Sequence, residues 1–512
     1  MDEVEHTRQP GEGIRGEGLR VGDLARAARG RVRWSIEDGA RARMEAARAA
    51  LVAAAEEPGR CVYGVNTGFG RLASQRIDAE DVIRLQENLI ASHTSGVGSF
   101  LDEEVVRGAI LLRANSLAKG YSGVRPCVVV GLLALLNERI HPLVPRFGSL
   151  GASGDLIPLA HVASVLVGRG RARVEDRDLD GAAALAEAGL TPLQLEAKEG
   201  LALINGTPFM TAAAGLAVGD AQRLLVSADI IGALTIAGLS GRTEAYDAAI
   251  QEVRPHPGQG QVAANLRRLL DPWDGGEAVQ DAYSLRCVPQ IHGAVRDAIS
   301  HARRVVEVEM NAATDNPLVF PARGAVLSGG NFHGEPVALV ADYANLAMTE
   351  LGVLSERRVN RLLHPDLNRG LPAFLSAHPG LESGLMIAQY AAAALVAQCR
   401  GLAHPASLDS ISVSGDQEDH VSMGMHAALH LRETVHHVAG ILAIELLCAC
   451  EALEHARVEL PAGILAAHRA VRACVDRVRG DEPLTDRIAV LTEQVRDGAL
   501  ERAVTAAVGP LQ

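Results

Sequence analysis

Four long stretches of helical periodicity constrain the fold of this chain more than any other feature, at residues 213–238, 290–313, 335–364 and 420–457. Stretches of this length favour long helices packed in a bundle. Aromatic residues make up only 3% of the 512 residues. The core must therefore consist mainly of Ala, Leu and Val, which suit close helix packing. The sequence predicts a mainly all-α fold with an elongated central bundle.

The part of the chain before these stretches is predicted to be a smaller region of shorter helices. Helical patterns occur there at residues 36–57, 80–97, 102–118 and 122–138. The first twenty residues are charged and rich in glycine, so we expect a flexible tail and no signal peptide. The expected division of the chain is a tail at residues 1–20, an N-terminal region at 21–205, and a long-helix bundle with C-terminal helices at 206–512.

Charge and composition exclude several kinds of partner. The net charge is −13 and no run of Lys and Arg is interleaved with aromatics, so we expect no nucleic acid partner. The apolar window Leu224–Gly241 is interrupted by Asp229 and by glycine, which favours a buried helix over a membrane span. Seven cysteines without a C-x-x-C pair favour neither a disulfide framework nor a zinc site. We expect a soluble, cytoplasmic protein.

The segment GSLGASGDLIPLAH, residues 148–161, allows three interpretations. It can be a glycine-rich turn before a helix that Asp155 caps. A serine nucleophile is disfavoured, because the elbow pattern G-x-S-x-G is not met around Ser153. In the third interpretation, the amide nitrogen of Gly154 attacks the carbonyl of Ala152, and Ser153 then loses water. The product, a 4-methylidene-imidazol-5-one, is an electrophile made without an external cofactor, and its formation needs a sharply bent backbone.

Further motifs on both sides of this segment support the third interpretation. They are VYGVNTGFG at 62–70, SHTSGVG at 92–98, LINGTP at 203–208, QDAYSLRCVPQ at 280–290, SGGNFHGEP at 328–336, and HPASLDS with QEDHVSMG at 404–424. Together they resemble, in the same order, the motifs of the aromatic amino acid ammonia-lyase family, most closely those of its histidine-specific members. The resemblance covers residues 20–460, and several long motifs in one order are far more specific than any single one.

The resemblance implies a lyase that removes ammonia from L-histidine to give trans-urocanate. Its electrophile would be the methylidene-imidazolone formed from Ala152, Ser153 and Gly154, with no external cofactor and no metal. The resemblance also implies a homotetramer whose active sites take loops from three subunits. Related members act on tyrosine or phenylalanine, and some are 2,3-aminomutases, so these activities remain alternatives.

The family pattern also implies roles for individual residues. Tyr63 would be the base that removes the β-hydrogen of the substrate, although a phenol with an ordinary pKa near 10 needs neighbours that favour its anion. Arg286 would hold the substrate carboxylate, for which a planar guanidinium is a two-pronged partner. Asn205 and Tyr283 would line the prosthetic group and the carboxylate end, and Gln280 would support the same loop.

Three more residues are implied at the site. Phe332 would pack beside the ring of the prosthetic group. His93 and Glu418 match the histidine-specific pattern, and both can exchange hydrogen bonds or a proton with an imidazole substrate. The chain departs from this pattern at Thr94–Ser95, where an Ala-Ala pair is usual. The substrate is therefore less firmly indicated than the lyase chemistry.

Other function classes fit the sequence less well. A pyridoxal phosphate enzyme needs a Schiff-base lysine, and only Lys119 and Lys198 occur, neither in a phosphate-binding setting. A metal-dependent lyase is disfavoured because the histidines are scattered and H-E-x-x-H is absent. A non-enzymatic helical scaffold would explain the helices but would leave the glycine-rich polar loops without a purpose.

Overall fold

The computed structural model describes residues 11–57, 59–273, 275–276, 278–455 and 459–512. Most of these residues are helical. The α-helices are α1 (Val21–Arg29), α2 (Asp38–Glu56), α3 (Val82–His93), α4 (Glu103–Ala118), α5 (Pro126–Asn137), α6 (Leu156–Leu166), α7 (Gly181–Glu187), α8 (Glu199–Ile204), α9 (Pro208–Gly238), α10 (Ala248–Glu252), α11 (Pro257–Leu270), α12 (Tyr283–Arg286), α13 (Val288–Glu309), α14 (Glu335–Leu363), α15 (Met386–Leu402), α16 (Gly424–Leu453), α17 (Ala462–Arg472), α18 (Thr485–Asp497) and α19 (Ala499–Val508).

The strands of the described chain are all short. They are β1 (Glu12–Ile14), β2 (Trp34–Ile36), β3 (Val97–Phe100), β4 (Ile140–Pro142), β5 (Pro145–Phe147), β6 (Arg171–Val174), β7 (Arg177–Asp180), β8 (Leu318–Phe320) and β9 (Ala325–Leu327). β1 and β2 pair in parallel, whereas β3–β5, β4–β6–β7 and β8–β9 pair antiparallel. The prediction of a mainly all-α fold is confirmed.

The predicted tail is only partly comparable with the structure, because residues 1–10 lie outside the described residues. Over residues 11–20 the prediction of flexibility is wrong. β1 pairs with β2, Ile14 is buried, and the backbone N–H of Leu19 donates to Oδ1 of Asn311 at 2.9 Å. The charged, glycine-rich composition gives no indication of this order, because strand pairing uses backbone groups that every residue carries.

The described chain divides into two compact units, and both are discontinuous in sequence. Unit 1 comprises the described residues up to Leu216, with Arg303–Ala341 and Pro405–Leu429. Unit 2 comprises the described residues of Ala217–Ala302, Asp342–His404 and His430–Gln512. The described chain has five boundaries instead of the single one expected between residues 205 and 206. Four fall inside α9, α13, α14 and α16, and the fifth lies between His404 and Pro405, after α15.

Unit 1 is built around α4, whose residues from Val105 to Ala118 are all buried. α4 contacts α1, α2 and α5. α5 begins at Pro126, where the missing N–H of proline costs no helical hydrogen bond. The same unit contains α6, which follows the segment with Ser153, and α8, which directly precedes Asn205. Both segments belong to the candidate site.

Unit 2 contains a buried polar network between its long helices. The guanidinium of Arg358 pairs with the carboxylate of Glu445 at 2.5 Å, and both side chains are fully buried. Hydroxyls of Thr235 and Ser355 donate to the same carboxylate. A buried charge is costly unless it is paired and hydrogen-bonded, so this network holds the helices of the unit in one register.

Three helices, α9, α14 and α16, are long and apolar enough to cross a membrane by length and composition alone. Within the protein, 78%, 67% and 83% of their respective apolar windows are buried. This burial agrees with the interpretation of the apolar stretch at residues 224–241, most of which lies in α9, as a helix inside the protein.

Arg358→Met is expected to destabilise the fold by about 3–5 kcal/mol, because it leaves the buried Glu445 charge without a cation. Differential scanning calorimetry would record the loss as a lower unfolding temperature. The double variant Arg358→Met/Glu445→Leu is the control, and it should regain most of the stability because no buried charge remains. A single variant as stable as the parent contradicts the structural role of the pair.

Candidate active site

A cavity of about 630 Å³ in unit 1 brings together the segment at 148–161 and five other parts of the chain. Small-molecule sites typically enclose roughly 300–1,000 Å³, so a free amino acid fits this volume. The cavity is lined by Tyr63, Gly70, Ala73, Ala152, Ser153, Asn205, Asn316, Ser328, Gly329, Phe332, His333, Gln417, Glu418, Asp419 and His420.

Ser153 is held from two sides in this cavity. Its Oγ donates a hydrogen bond to Oε1 of Glu418 at 2.9 Å. Its carbonyl oxygen accepts a hydrogen bond from Nδ2 of Asn205 at 3.1 Å. Both the side chain and the backbone of Ser153 are therefore fixed by residues that are distant in the sequence.

The backbone after Ser153 is bent and closely packed. Gly154 has a φ of +75°, and a Cβ at this position would lie 1.9 Å from the carbonyl oxygen of Gly206. The same carbonyl accepts a hydrogen bond from the N–H of Asp155 at 2.6 Å. Only glycine combines this φ with an approach so close, so the sequence at residue 154 is dictated by the contact.

Asp155 has a different partner from the one expected. Its carboxylate does not cap α6; it accepts hydrogen bonds from the N–H groups of Phe209 and Met210, at the start of α9, and from Oγ of Ser149. Burial raises the pKa of Asp155 to about 6, and these hydrogen bonds act in the opposite direction. The carboxylate therefore ties the bend at 148–155 to a second helix.

Tyr63 is partly buried in the cavity wall. Its hydroxyl oxygen accepts a hydrogen bond from the N–H of Gly70 at 3.1 Å, and its ring packs edge-to-face on Phe69. Burial raises the pKa of Tyr63, the Gly70 hydrogen bond lowers it, and the charge of Glu418 raises it further. Among the described neighbours, the Gly70 N–H is thus the group that favours the phenolate.

Glu418 is carried by a tight turn. Val413 and Glu418 exchange two backbone hydrogen bonds, of 3.0 and 3.3 Å. Between them, Ser414, Gly415 and Asp416 all have positive φ values of 55–62°. Such angles are unfavourable for residues with a Cβ, so the turn is held by its surroundings and presents Glu418 to Ser153 in a defined position.

The structure brings together six of the residues implied by the family pattern. Tyr63, Ala152, Ser153, Asn205, Phe332 and Glu418 all line the cavity, and Gly154 follows directly behind them. His93 is not in the lining: its Nδ1 contacts the backbone oxygen of Leu89 at 2.8 Å at the end of α3. The role of His93 stays a prediction.

The other three implied residues lie in unit 2 and do not line the cavity. They are Gln280, Tyr283 and Arg286. Tyr283 is 68% exposed, and the guanidinium carbon of Arg286 lies 4.9 Å from the centre of its ring. The carboxylate-binding roles of these residues are therefore not formed within the described cavity.

Sequence reasoning missed two histidines of the lining, His333 and His420, although they lie beside Phe332 and Glu418 in the quoted motifs. Their rings are parallel within 3°, with centroids 5.7 Å apart. Together with Glu335 they offer donor atoms within 4.8 Å of one another. The expectation of no metal stays a prediction.

Comparison with known proteins agrees with this arrangement. The family model described as "Aromatic amino acid lyase" matches residues 19–479. The chain belongs to the aromatic amino acid lyase family. It is therefore a carbon–nitrogen lyase of the class that depends on a methylidene-imidazolone prosthetic group.

Individual relatives span almost the whole chain. A histidine ammonia-lyase of Sorangium cellulosum is 49% identical over 510 residues, covering 97% of this chain and 99% of the relative. A solved histidine ammonia-lyase of Trypanosoma cruzi has a TM-score of 0.92 at 39% identity, covering 98% of this chain and 96% of that one. A tyrosine aminomutase of Streptomyces globisporus has a TM-score of 0.94 at 38% identity, covering 98% and 100%.

The residues at 152–154 fit the prosthetic group of this lyase family. Gly154 occupies a cradle that a Cβ would fill, and Ala152 is buried. Asn205 donates to the Ser153 carbonyl, while its own Oδ1 is buried and has no hydrogen-bond partner among the described residues. The Ser153 carbonyl that accepts from Asn205 becomes the carbonyl of the ring, so this hydrogen bond suits the closed form as well as the open chain.

Glu418→Gln is expected to lower the pKa of Tyr63, because the carboxylate that opposes the phenolate becomes neutral. The pKa can be measured from phenolate absorbance against pH, as the difference between each protein and its Tyr63→Phe counterpart. Asp419→Asn is the matched control, since it neutralises a neighbouring carboxylate that does not shift Tyr63. A Tyr63 pKa that stays the same or rises in Glu418→Gln contradicts the coupling.

Proposed function

We propose that this chain is a histidine ammonia-lyase that converts L-histidine to trans-urocanate and ammonia, with an electrophile formed from Ala152, Ser153 and Gly154. The observation that carries the proposal is the placement of Ser153, fixed by Glu418 and Asn205 in one cavity with Tyr63. The names of the relatives support the choice of substrate.

Formation of the electrophile requires the chain to react with itself. The amide nitrogen of Gly154 forms a bond to the carbonyl carbon of Ala152. The oxygen of that carbonyl leaves as water with the amide hydrogens of Gly154 and Ser153, and a C=N bond forms between the Ala152 carbon and the Ser153 nitrogen. The Cα hydrogen and the hydroxyl of Ser153 leave as a second water. The bent backbone at Gly154 and the fixed Ser153 carbonyl favour this reaction, because they hold the reacting atoms together before it begins.

The prosthetic group, once formed, supplies an electrophile that turns the amino group of the substrate into a leaving group. Tyr63 removes the proton from the β-carbon through its phenolic oxygen, and the N–H of Gly70 stabilises the negative charge on that oxygen. Burial disfavours the phenolate, and a bound substrate buries Tyr63 further because it displaces water. Other groups at the site must then stabilise the anion.

Glu418 acquires a second role after Ser153 loses its hydroxyl. The carboxylate that accepted the Ser153 hydrogen bond is then free to accept one from the N–H of an imidazole, or to exchange a proton with it. A histidine side chain can donate an N–H to this carboxylate, whereas a phenyl ring has no such donor. It supports histidine over phenylalanine as the substrate.

The quaternary state and location also remain proposals. We propose a homotetramer with shared active sites, in the cytoplasm. The exposed ring of Tyr283 with Arg286 beside it supports an interface, because aromatic and arginine side chains are enriched there. Size-exclusion chromatography with light scattering tests the tetramer, and a monomeric mass for the active protein would overturn it.

Ser153→Ala is expected to lower turnover by several orders of magnitude, because no methylidene group can form without the Ser153 hydroxyl. Urocanate formation from L-histidine can be followed in the ultraviolet. Ser35→Ala, which removes an exposed hydroxyl in β2, is the control and should match the parent. Full activity in Ser153→Ala rules out the proposed electrophile.

The substrate is tested by supplying histidine, tyrosine and phenylalanine separately and identifying each product. We expect urocanate from histidine at a kcat/KM far above that for either aryl substrate. Coumarate or cinnamate without urocanate would overturn the substrate assignment. A β-amino acid product would instead assign the aminomutase reaction, which a structural relative performs on tyrosine according to its name.

A further inference from the structure

The short helix α8 lies between the two functional segments of the cavity. On one side it supports Tyr63: a Cβ on the adjacent Gly64 would lie 2.3 Å from Cδ2 of Leu201 in α8. The side chain of Gln86 joins the same parts, since its Oε1 accepts from the N–H of Leu201 at 3.2 Å and its Nε2 donates to the carbonyl of Gly64 at 3.4 Å. The segment that carries Tyr63 thus rests on α8.

The other end of α8 supports Ser153. The helix ends at Ile204, and the next two residues are Asn205, which donates to the Ser153 carbonyl, and Gly206, which packs against Gly154. Only a few residues therefore separate Leu201, which supports the Tyr63 segment, from Asn205 and Gly206, which support the Ser153 segment. A shift of α8 would move both functional groups at once.

α8 is held in place by buried charges at both ends. At its start, Nζ of Lys198 donates to Oδ2 of Asp315 at 2.7 Å, and both side chains are fully buried. Near its end, the guanidinium of Arg113 donates to the carbonyl of Ala202. A Cβ on Gly206 would lie 2.5 Å from Nη1 of Arg113, so this guanidinium also packs against the backbone that supports Gly154.

These charges are expensive to bury. Arg113 is fully buried, and its Nε and Nη1 have no hydrogen-bond partner within the described residues. Burial lowers the pKa of Arg113 to about 10, and the charge of Asp315 acts in the opposite direction. Well-packed apolar residues would often stabilise a core as well as a buried ion pair does. Stability alone therefore does not explain why these charges are buried here.

The short length of α8 offers an explanation for these buried charges. A helix of six residues is too short to be stable alone, so its position depends on what fastens its ends. Apolar contacts are non-directional and allow small displacements, whereas an ion pair with a hydrogen bond fixes one geometry. Lys198 also adopts a φ of +75°, an uncommon angle for a residue with a Cβ, at the junction where the helix begins.

We propose that Lys198, Asp315 and Arg113 are positioning residues that set the geometry between Tyr63 and Ser153 through α8, both for ring formation and for turnover. This inference rests on the function proposed above. It gives Lys198 a role that is independent of any cofactor. It also implies that these residues affect the geometry of the site independently of the overall stability of unit 1.

The test uses the full-length double variant Lys198→Met/Asp315→Leu, which removes the buried ion pair at the start of α8. Intact-mass spectrometry follows the loss of two water molecules per chain with time after purification. We expect a folded protein, by circular dichroism, in which ring formation is about 100-fold slower than in the parent, because small misplacements of reacting groups cost that much. In the chains that mature, kcat should fall more than KM changes.

The matched control is Arg358→Met/Glu445→Leu, which removes another fully buried ion pair, in unit 2. It should mature and turn over like the parent. If the Lys198/Asp315 double variant matures and turns over like this control, the positioning role is overturned. If the parent itself shows no loss of two waters, the proposed function fails instead, so the two failures are distinguishable.

A second variant keeps the inference testable if the double variant does not fold. Gln86→Leu breaks the side-chain link between Leu201 and Gly64 and leaves the support of Ser153 intact. We expect the ring to form at the parental rate while kcat falls about 10-fold or more, since the base alone is displaced. Normal kcat in a folded Gln86→Leu protein contradicts the support of Tyr63 by α8.

Discussion

The close approach of two backbone segments, at Gly154 and Gly206, is the contact on which the candidate site depends. It leaves no room for a Cβ at residue 154, it bends the chain at Ser153, and it brings Asn205 within hydrogen-bond distance of the Ser153 carbonyl. The same contact aligns the start of α6 with the start of α9, where Asp155 joins them. Helices provide the scaffold, and two glycines allow its reactive segment to form.

Much of the fold could be predicted from the sequence, because long helices carry a strong periodic signal. α14 begins and ends within one residue of the predicted 335–364, and α9 contains the predicted 213–238. Order at residues 11–20 could not be predicted, since strand pairing there depends on backbone groups and on a few buried side chains. The discontinuous units could not be predicted either, because long helices pass from one unit into the other.

The site was predictable where a motif carries its own chemistry, as in Ala152–Ser153–Gly154. It was less predictable where a residue acts through a distant partner. Asp155 has the sequence signature of a local helix cap, yet its carboxylate binds the first turn of α9, more than fifty residues away. Lys198 could be set aside as a Schiff-base lysine from its surroundings, but its partner Asp315 is visible only in three dimensions.

The central claim is that the open chain at residues 152–154 is the precursor of a ring. An experimental electron-density map of the purified protein at atomic resolution tests it most directly. The account predicts a closed five-membered ring joining Gly154 N to the former carbonyl carbon of Ala152, with a planar Ser153 Cα and no Oγ. An intact serine whose hydroxyl still donates to Glu418, in protein that releases ammonia from histidine, would contradict it.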